Sequence, residues 1–137
     1  MAYWLMKSEP ETFSWAMLVD KGWTHWDGVR NHQAAANLRA MKVGELAFFY
    51  HSSTGKEVVG TMRVTKEHMP DPTDKTGKFV MVDVEPVKPL KTPVTLAEIR
   101  ADPRFADFLL VRHSRLSVMP VGPAHWKSIC RMGGIDP

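Results

Sequence analysis

The sequence lacks the features that would indicate disulfide bonds, a membrane span or a signal peptide. Among its 137 residues there is a single cysteine, Cys130, so no disulfide can form within the chain. The longest clearly apolar run, residues 46–50, is far shorter than the roughly 20 residues of a membrane span. Residues 1–7 lack the basic start and long apolar centre of a signal peptide. We therefore expect a protein of a reducing, cytoplasmic compartment with no membrane partner.

An excess of charge of one sign is also nearly missing. Eighteen lysines and arginines stand against 15 aspartates and glutamates, and the net charge of +3 favours anionic partners only mildly. The apolar fraction of 44% and the charged fraction of 24% are typical of globular proteins. A chain of this size buries about two-thirds of the surface that its unfolded form exposes. We therefore expect a single domain over residues 1–137 that folds without disulfides or metal.

The common catalytic and metal-binding motifs are absent. No G-x-S-x-G elbow, phosphate-binding P-loop or dinucleotide G-x-G-x-x-G occurs, and the six histidines are scattered singly. His51 precedes Ser52 and His113 precedes Ser114, but neighbouring residues of a strand point to opposite faces. Neither pair therefore predicts a nucleophile beside its base. We expect no catalytic residue, no metal and no cofactor.

The order of the elements predicts the fold class. Alternating or continuous apolar residues predict strands over residues 3–7, 45–51, 58–65 and 78–87 and an extended segment within 109–121. Capping residues and helical spacing predict helices near residues 15–21, 31–42, 95–100 and from 123 onwards. Residues 23–28 read as an aromatic turn, and three prolines, Pro86, Pro89 and Pro93, read as breaks. Because the central strands follow one another without helices, we predict an α+β fold. It is a mixed, mainly antiparallel β pseudo-barrel of about five to six strands with helices packed outside.

Tryptophan is concentrated near the start of the chain. Four of the five tryptophans fall within the first 26 residues, as core anchors or as a stacking surface for flat ligands. Four segments mix aromatic or apolar groups with a few donors and acceptors, which is the composition of a pocket for a flat polar heterocycle. In the alternative reading the rings belong to the core and the charges form a structural ion-pair network. The four segments are residues 7–10, 26–31, 49–52 and 114–118.

These segments, in this order and spacing, resemble the EVE domain family. The likeness extends from Tyr3 to about Ile129, and its matching pieces are Tyr3–Pro10, Trp26–Asn31, Phe49–Ser52 and Arg115–Val118 followed by Pro120. The resemblance implies a PUA-like pseudo-barrel related to the YTH readers of methylated adenine. It also implies a non-enzymatic module that accepts a modified base of DNA or RNA in an aromatic and polar pocket.

Given this resemblance, we expect a base that has left its stack to rest on Trp26 or Tyr50. Glu9 can only accept hydrogen bonds as a carboxylate, so it would favour an exocyclic amine. We expect Trp26→Ala to abolish base binding and to leave the melting temperature largely intact. Hydrogen bonds to the base edge are expected from Ser8, Glu9, Asn31 and Ser117.

The flanking phosphates of such a strand would meet basic side chains of the same segments. Lys7, Arg30 and Arg115 are the expected phosphate contacts, and the binding they provide should weaken with salt. The full set of expected ligand-binding residues is Lys7, Ser8, Glu9, Trp26, Val29, Arg30, Asn31, Tyr50, His51, Ser52, Arg115, Leu116 and Ser117.

Two other classes of function remain open at this point. The first is an enzyme that acts on a nucleotide or base and uses His51 as acid or base. The second is a protein-interaction module that binds a peptide in the same cleft. The identity of the base, the choice between DNA and RNA, and the formation of a weak homodimer are also left open.

Overall fold

The computed structural model describes residues 1–137 as one six-stranded sheet with five α-helices. The strands are β1 (Tyr3–Ser8), β2 (Thr24–Trp26), β3 (Leu46–His51), β4 (Glu57–Pro70), β5 (Val80–Thr95) and β6 (Val118–Val121). The helices are α1 (Trp15–Lys21), α2 (His32–Ala40), α3 (Leu96–Ala101), α4 (Leu109–Arg112) and α5 (Pro123–Met132), with a 3₁₀ turn at Pro103–Phe105. No helix is both long and apolar enough to cross a membrane.

The sheet is mixed and mainly antiparallel, as the sequence predicted. Its strand order is β2-β5-β4-β3-β1-β6, and only β1 and β3 run parallel. The long β4–β5 pair contains several register shifts, which bend and twist a sheet. As a result the edge strand β2 curls back over β3, where the ring of Trp26 meets that of Phe49 at 5.4 Å. The sheet curls without closing, because β2 and β6 remain its two edges.

Strand β3 is covered on both faces. Its residues Ala47 to Tyr50 are all buried. Phe48 stacks on Trp126 of α5 at 3.9 Å, and Phe49 meets Trp15 of α1 edge to face at 5.6 Å. Neighbouring residues of a strand point to opposite faces, so α5 and α1 lie on opposite sides of the sheet. One contiguous hydrophobic core results.

Helices α1, α3 and α5 begin where their local sequences predict. The hydroxyl of Ser14 caps α1, and Gly22 ends it with a φ of 83°. Thr95 and Glu98 form a capping box at α3, and Pro123 lies in the first turn of α5. These predictions are confirmed because each depends on residues adjacent in the chain.

Two predictions for the elements are wrong, and one is confirmed in part. Residues 24–26, predicted as part of a turn, form β2 and pair with Val82–Val84 of β5. The prolines do not end β5, which continues to Thr95. Beyond Val84 no strand pairs with the outer edge of β5, so a proline there can lack an N–H without loss of a ladder hydrogen bond. The extended segment predicted within residues 109–121 is β6, and the same stretch also contains the unpredicted helix α4.

Candidate nucleic-acid interface

A cavity of about 510 Å³, the main cavity, lies where the end of β1 faces β2. Its volume falls within the range of about 300–1,000 Å³ that is typical of ligand pockets. The loop between β1 and α1 forms one wall, and β2 with the turn after it forms another. The lining residues are Lys7, Ser8, Glu9, Thr12, Phe13, Thr24, His25, Trp26, Asp27 and Gly28.

Trp26 lines the main cavity but belongs mostly to the core. Its side chain is 7% exposed, and its ring packs edge to face on Phe49. The core therefore holds the ring rigidly and leaves only a small part of it to a ligand. The expectation that Trp26→Ala leaves thermal stability intact is wrong for this reason, because deleting a buried tryptophan typically costs about 3–5 kcal/mol.

The loop after β1 is fastened by its own hydrogen bonds. The backbone N–H groups of Thr12 and Phe13 both donate to the carbonyl oxygen of Glu9. The hydroxyl of Ser8 donates to the carbonyl oxygen of Phe13 at 2.5 Å. Because its proton is already used, Ser8 can only accept a hydrogen bond from a ligand. The carboxylate of Glu9 is exposed at the cavity and makes no hydrogen bond within the chain.

The turn after β2 is anchored to the buried carboxylate of Asp71. Gly28, with a φ of 78°, donates its N–H to Oδ2 of Asp71 at 2.8 Å, and Arg30 donates to the same oxygen at 3.1 Å. Burial alone would raise the pKa of Asp71, but hydrogen bonds from Thr73, Gly28 and Arg30 outweigh it and lower the pKa. Arg30 is therefore neutralised within the protein, as in the ion-pair alternative. Asp27, in the same turn, has no ion-pair partner.

A second cavity, of about 140 Å³, adjoins the main cavity at Lys7, which lines both. Tyr50 lines this second cavity and not the main one, so of the two rings expected to stack on a base only Trp26 faces the main cavity. Trp26 packs on Phe49, whereas the next residue, Tyr50, points to the opposite face of β3, and spacing along the chain does not reveal this separation. The lining residues are Lys7, Tyr50, Ser52, Ser53, Lys56, Leu96, Arg100, Leu110 and Ser114.

A third cavity, of about 320 Å³, continues from the second at Ser114. It contains two of the expected polar residues, Asn31 and Arg115, together with the buried Leu116. Asn31 accepts from the N–H of Ala34 through its side-chain oxygen and so caps α2, which leaves its amide NH₂ group for a ligand. The lining residues are Asn31, Gln33, Arg112, His113, Ser114, Arg115 and Leu116.

Four expected site residues, Arg30 among them, lie outside the three cavities. Val29 is buried in the core, and the carbonyl oxygen of Ser117 accepts from the N–H of Lys7. Nε2 of His51 accepts from the N–H of Trp15 at 3.1 Å, at the start of α1. Desolvation lowers the pKa of His51 in spite of the charges of Glu57 and Glu11. His51 is therefore a neutral structural acceptor. No three histidine, cysteine or acidic side chains are grouped so that they could hold a metal ion.

Several lining residues were not expected from the sequence. Asp27 falls inside the matching segment 26–31, and its position next to Trp26 could have identified it as a site residue. Lys56 and Arg100 belong to no motif and are 44 positions apart along the chain. The N–H of Leu96, at the start of α3, donates to the carbonyl oxygen of Lys56 at 2.8 Å, and this tertiary contact helps to bring them to one cavity. Arg112, in the third cavity, likewise follows no motif.

The curled six-stranded sheet defines a PUA-like α+β domain. It resembles the YTH domain of a Zygosaccharomyces rouxii protein with a TM-score of 0.58 over 96% of this chain and 86% of that chain. At 16% sequence identity this likeness concerns the fold alone. The EVE domain family model matches residues 2–132. The chain therefore belongs to the EVE domain family, which confirms the resemblance read from the sequence.

Relatives and solved structures support this assignment along nearly the whole chain. Human thymocyte nuclear protein 1 is 36% identical over 154 aligned residues, which cover 88% of this chain and 68% of that protein. A structure from Rhodopseudomonas palustris has 54% identity and a TM-score of 0.92, covering 98% of this chain and 94% of the other. Human THYN1 in complex with DNA containing 5-methylcytosine has 33% identity and a TM-score of 0.91, with both chains fully covered.

Proposed function

We propose that this protein is a non-catalytic nucleic-acid-binding module that accepts a modified base in its main cavity. The observation that carries the proposal is the human THYN1 complex with DNA containing 5-methylcytosine, because the two chains superpose over their full lengths. The main cavity adds a chemical reason, since it combines the edge of an aromatic ring with several polar groups and is large enough for a ligand. We take methylated cytosine in DNA as the first ligand to test.

The polar groups of the main cavity suit an amino-bearing base. Glu9 and Asp27 both present carboxylates that make no hydrogen bond within the chain. Ionised carboxylates only accept hydrogen bonds, and the exocyclic N4 amine of cytosine is a donor where thymine has an acceptor oxygen. The main cavity should therefore prefer cytosine over thymine.

The free energies involved set the expected scale of recognition. Extruding a base from a stack costs a few kcal/mol, less in a single strand, and stacking on an aromatic ring returns about 1–3 kcal/mol. One methyl group adds about 0.8 kcal/mol by buried area, or about 1–3 kcal/mol in a tight niche. Methylated cytosine should therefore be preferred over cytosine by roughly ten- to a hundredfold at most.

The position of His51 supports binding without catalysis. This histidine was the candidate acid or base of the enzyme alternative. Its Nε2 is held by the N–H of Trp15, and its ring lies outside the main cavity. A group that exchanges protons with a base would have to lie within hydrogen-bond reach of it.

The proposal is tested by fluorescence anisotropy with short oligonucleotides that differ at one base. Single-stranded and duplex DNA with 5-methylcytosine, cytosine or thymine at that base, and the RNA equivalents, should separate by base and by sugar. The 5-methylcytosine strand should bind most tightly, and Trp26→Phe should weaken its binding. Trp23→Phe is the matched control, because Trp23 is 43% exposed and lies outside the main cavity. Equal affinity for all three bases would overturn the proposal.

A further inference from the structure

The second cavity is smaller than a typical ligand pocket and suits a compact group. Its volume of about 140 Å³ is less than half the lower end of the usual range for ligand pockets, about 300 Å³. It corresponds to about five water molecules at about 30 Å³ each. A tetrahedral group with four oxygens is of this size.

Three cations converge on this cavity without a counter-ion. Lys7, Lys56 and Arg100 line it, none of them forms an ion pair, and no carboxylate residue lines it. Some arginines elsewhere in the chain do have a carboxylate partner, for example Arg63 with Glu85 at 2.9 Å. The cavity therefore holds positive charge that the protein itself does not neutralise.

Lys7 makes the strongest case among these cations. Its ammonium group donates to the carbonyl oxygen of Ser114 at 2.9 Å and lies 5.9 Å from the centre of the Tyr50 ring. Burial lowers the pKa of Lys7, because a half-buried cation has lost part of its hydration and has no anion beside it. An anion in the second cavity would compensate the ammonium group for the hydration that it loses on burial.

Hydroxyl groups complete the wall of the cavity. The side chains of Tyr50, Ser52 and Ser114 line it, and none of the three hydroxyls donates a hydrogen bond within the chain. Burial raises the pKa of Tyr50 to about 12, so its hydroxyl keeps its proton and can donate. Cations and hydroxyl donors around a small cavity are the chemistry that binds phosphate oxygens.

We propose that the second cavity binds a phosphate group of the nucleic-acid strand, adjacent to the nucleotide whose base enters the main cavity. This inference rests on the proposed function, because Lys7 lines both cavities and would contact both parts of the strand. Lys56 and Arg100 then set the position of the backbone, and the main cavity reads the base.

The test compares four probes with the wild-type protein and with Arg100→Gln and Lys56→Gln. The probes are an oligonucleotide with 5-methylcytosine, the nucleoside 5-methyldeoxycytidine, its 5′-monophosphate and inorganic phosphate. Arg131→Gln is the matched control, since Arg131 is exposed in the last turn of α5 as Arg100 is in the last turn of α3, and it also has no ion pair. Thermal melting checks that each variant is folded.

Each variant of the second cavity should weaken oligonucleotide binding about fivefold or more and leave nucleoside binding unchanged. The slope of log affinity against log salt should become about 0.7–0.9 less steep for each lost contact. If Arg100→Gln and Lys56→Gln behave as Arg131→Gln does while the wild type still binds oligonucleotide and nucleoside, the phosphate site is overturned and the proposed function stands.

Two other outcomes also decide the question. If the wild type binds neither oligonucleotide nor nucleoside, the proposed function fails and the strand-phosphate site fails with it. If inorganic phosphate or the monophosphate binds in an Arg100-dependent way and the oligonucleotide does not, the second cavity serves a free phosphate compound, and the backbone assignment is overturned.

Discussion

The ammonium group of Lys7 donates a hydrogen bond to the carbonyl oxygen of Ser114 across 107 positions of sequence, at 2.9 Å. Lys7 ends up between the main and second cavities, and Ser114 between the second and third. One contact thus connects three concave surfaces into a continuous path. The main cavity has carboxylates without ion-pair partners, and the second and third cavities have cations without ion-pair partners. This distribution suits a base in the main cavity and the phosphate backbone of the strand along the other two.

Lys7→Met should stabilise the protein and weaken its binding of nucleic acid. Burial lowers the pKa of Lys7 in the folded protein below the value of 10.5 that it has in the unfolded chain. Between these two pKa values the unfolded chain binds more protons than the folded one, so the free energy of unfolding rises with pH. At neutral pH the charged form therefore opposes folding, and methionine removes that cost. We expect a higher melting temperature, a lower affinity for oligonucleotides and a shallower salt dependence. A drop in melting temperature with unchanged affinity would show that Lys7 is structural.

Glu9→Gln and Asp27→Asn should weaken the binding of DNA containing 5-methylcytosine, about three- to tenfold each. Removing a negative charge that does not touch the ligand would instead strengthen binding to a polyanion. The sign of the change therefore separates a base contact from simple repulsion. Asp20→Asn is the control for repulsion, since Asp20 is exposed in α1, has no ion pair and lies outside the main cavity. Titration by anisotropy at two salt concentrations measures all three variants.

Much of the fold was predictable because it depends on neighbouring residues. The caps of α1 and α3 and the proline of α5 are local features. The continuous run of apolar residues in β3 predicts a central strand. Strand β2 was missed because three residues carry no period, and it is a strand only through its pairing with β5. The β5 prolines were misread because a free outer edge is a property of the sheet and not of the sequence.

The candidate site was predicted in its segments but not in its arrangement. Trp26 and Tyr50 both fall in the matching segments, yet they line different cavities because Trp26 and Tyr50 lie on opposite faces of β3. Arg30 looked like a phosphate contact, and the buried Asp71 that neutralises it lies 41 positions further along the chain. Lys56 and Arg100 have no sequence pattern at all. Tertiary contacts decide which charges are paired, so the sequence alone does not show which basic residues are available to a phosphate.

Gly60→Ala should destabilise the protein by about 1–3 kcal/mol. A Cβ atom at Gly60 of β4 would lie 2.5 Å from the ring of Trp15, which packs flat on this strand. The ring also packs edge to face on Phe49 of the core, so moving it away from the added Cβ atom would disturb that contact. Urea denaturation measures the loss. In a Trp15→Leu background the same substitution should cost clearly less, and an equal cost in both backgrounds would contradict the steric explanation.

The stability of the protein should fall on acidification through the protonation of His51. Desolvation lowers the pKa of His51 below 6.5, and its Nε2 accepts the N–H of Trp15 only when neutral. Below pH 6.5 the unfolded chain binds more protons at this histidine than the folded one. The stabilisation that neutral His51 provides is therefore fully present above pH 6.5 and is lost as the pH falls through the lowered pKa. His51→Gln keeps an acceptor that does not titrate and should flatten the fall in unfolding free energy between pH 7.5 and about pH 5. His113→Gln, at an exposed histidine without hydrogen bonds, should leave that fall unchanged. Parallel pH profiles of wild type and His51→Gln would refute the assignment.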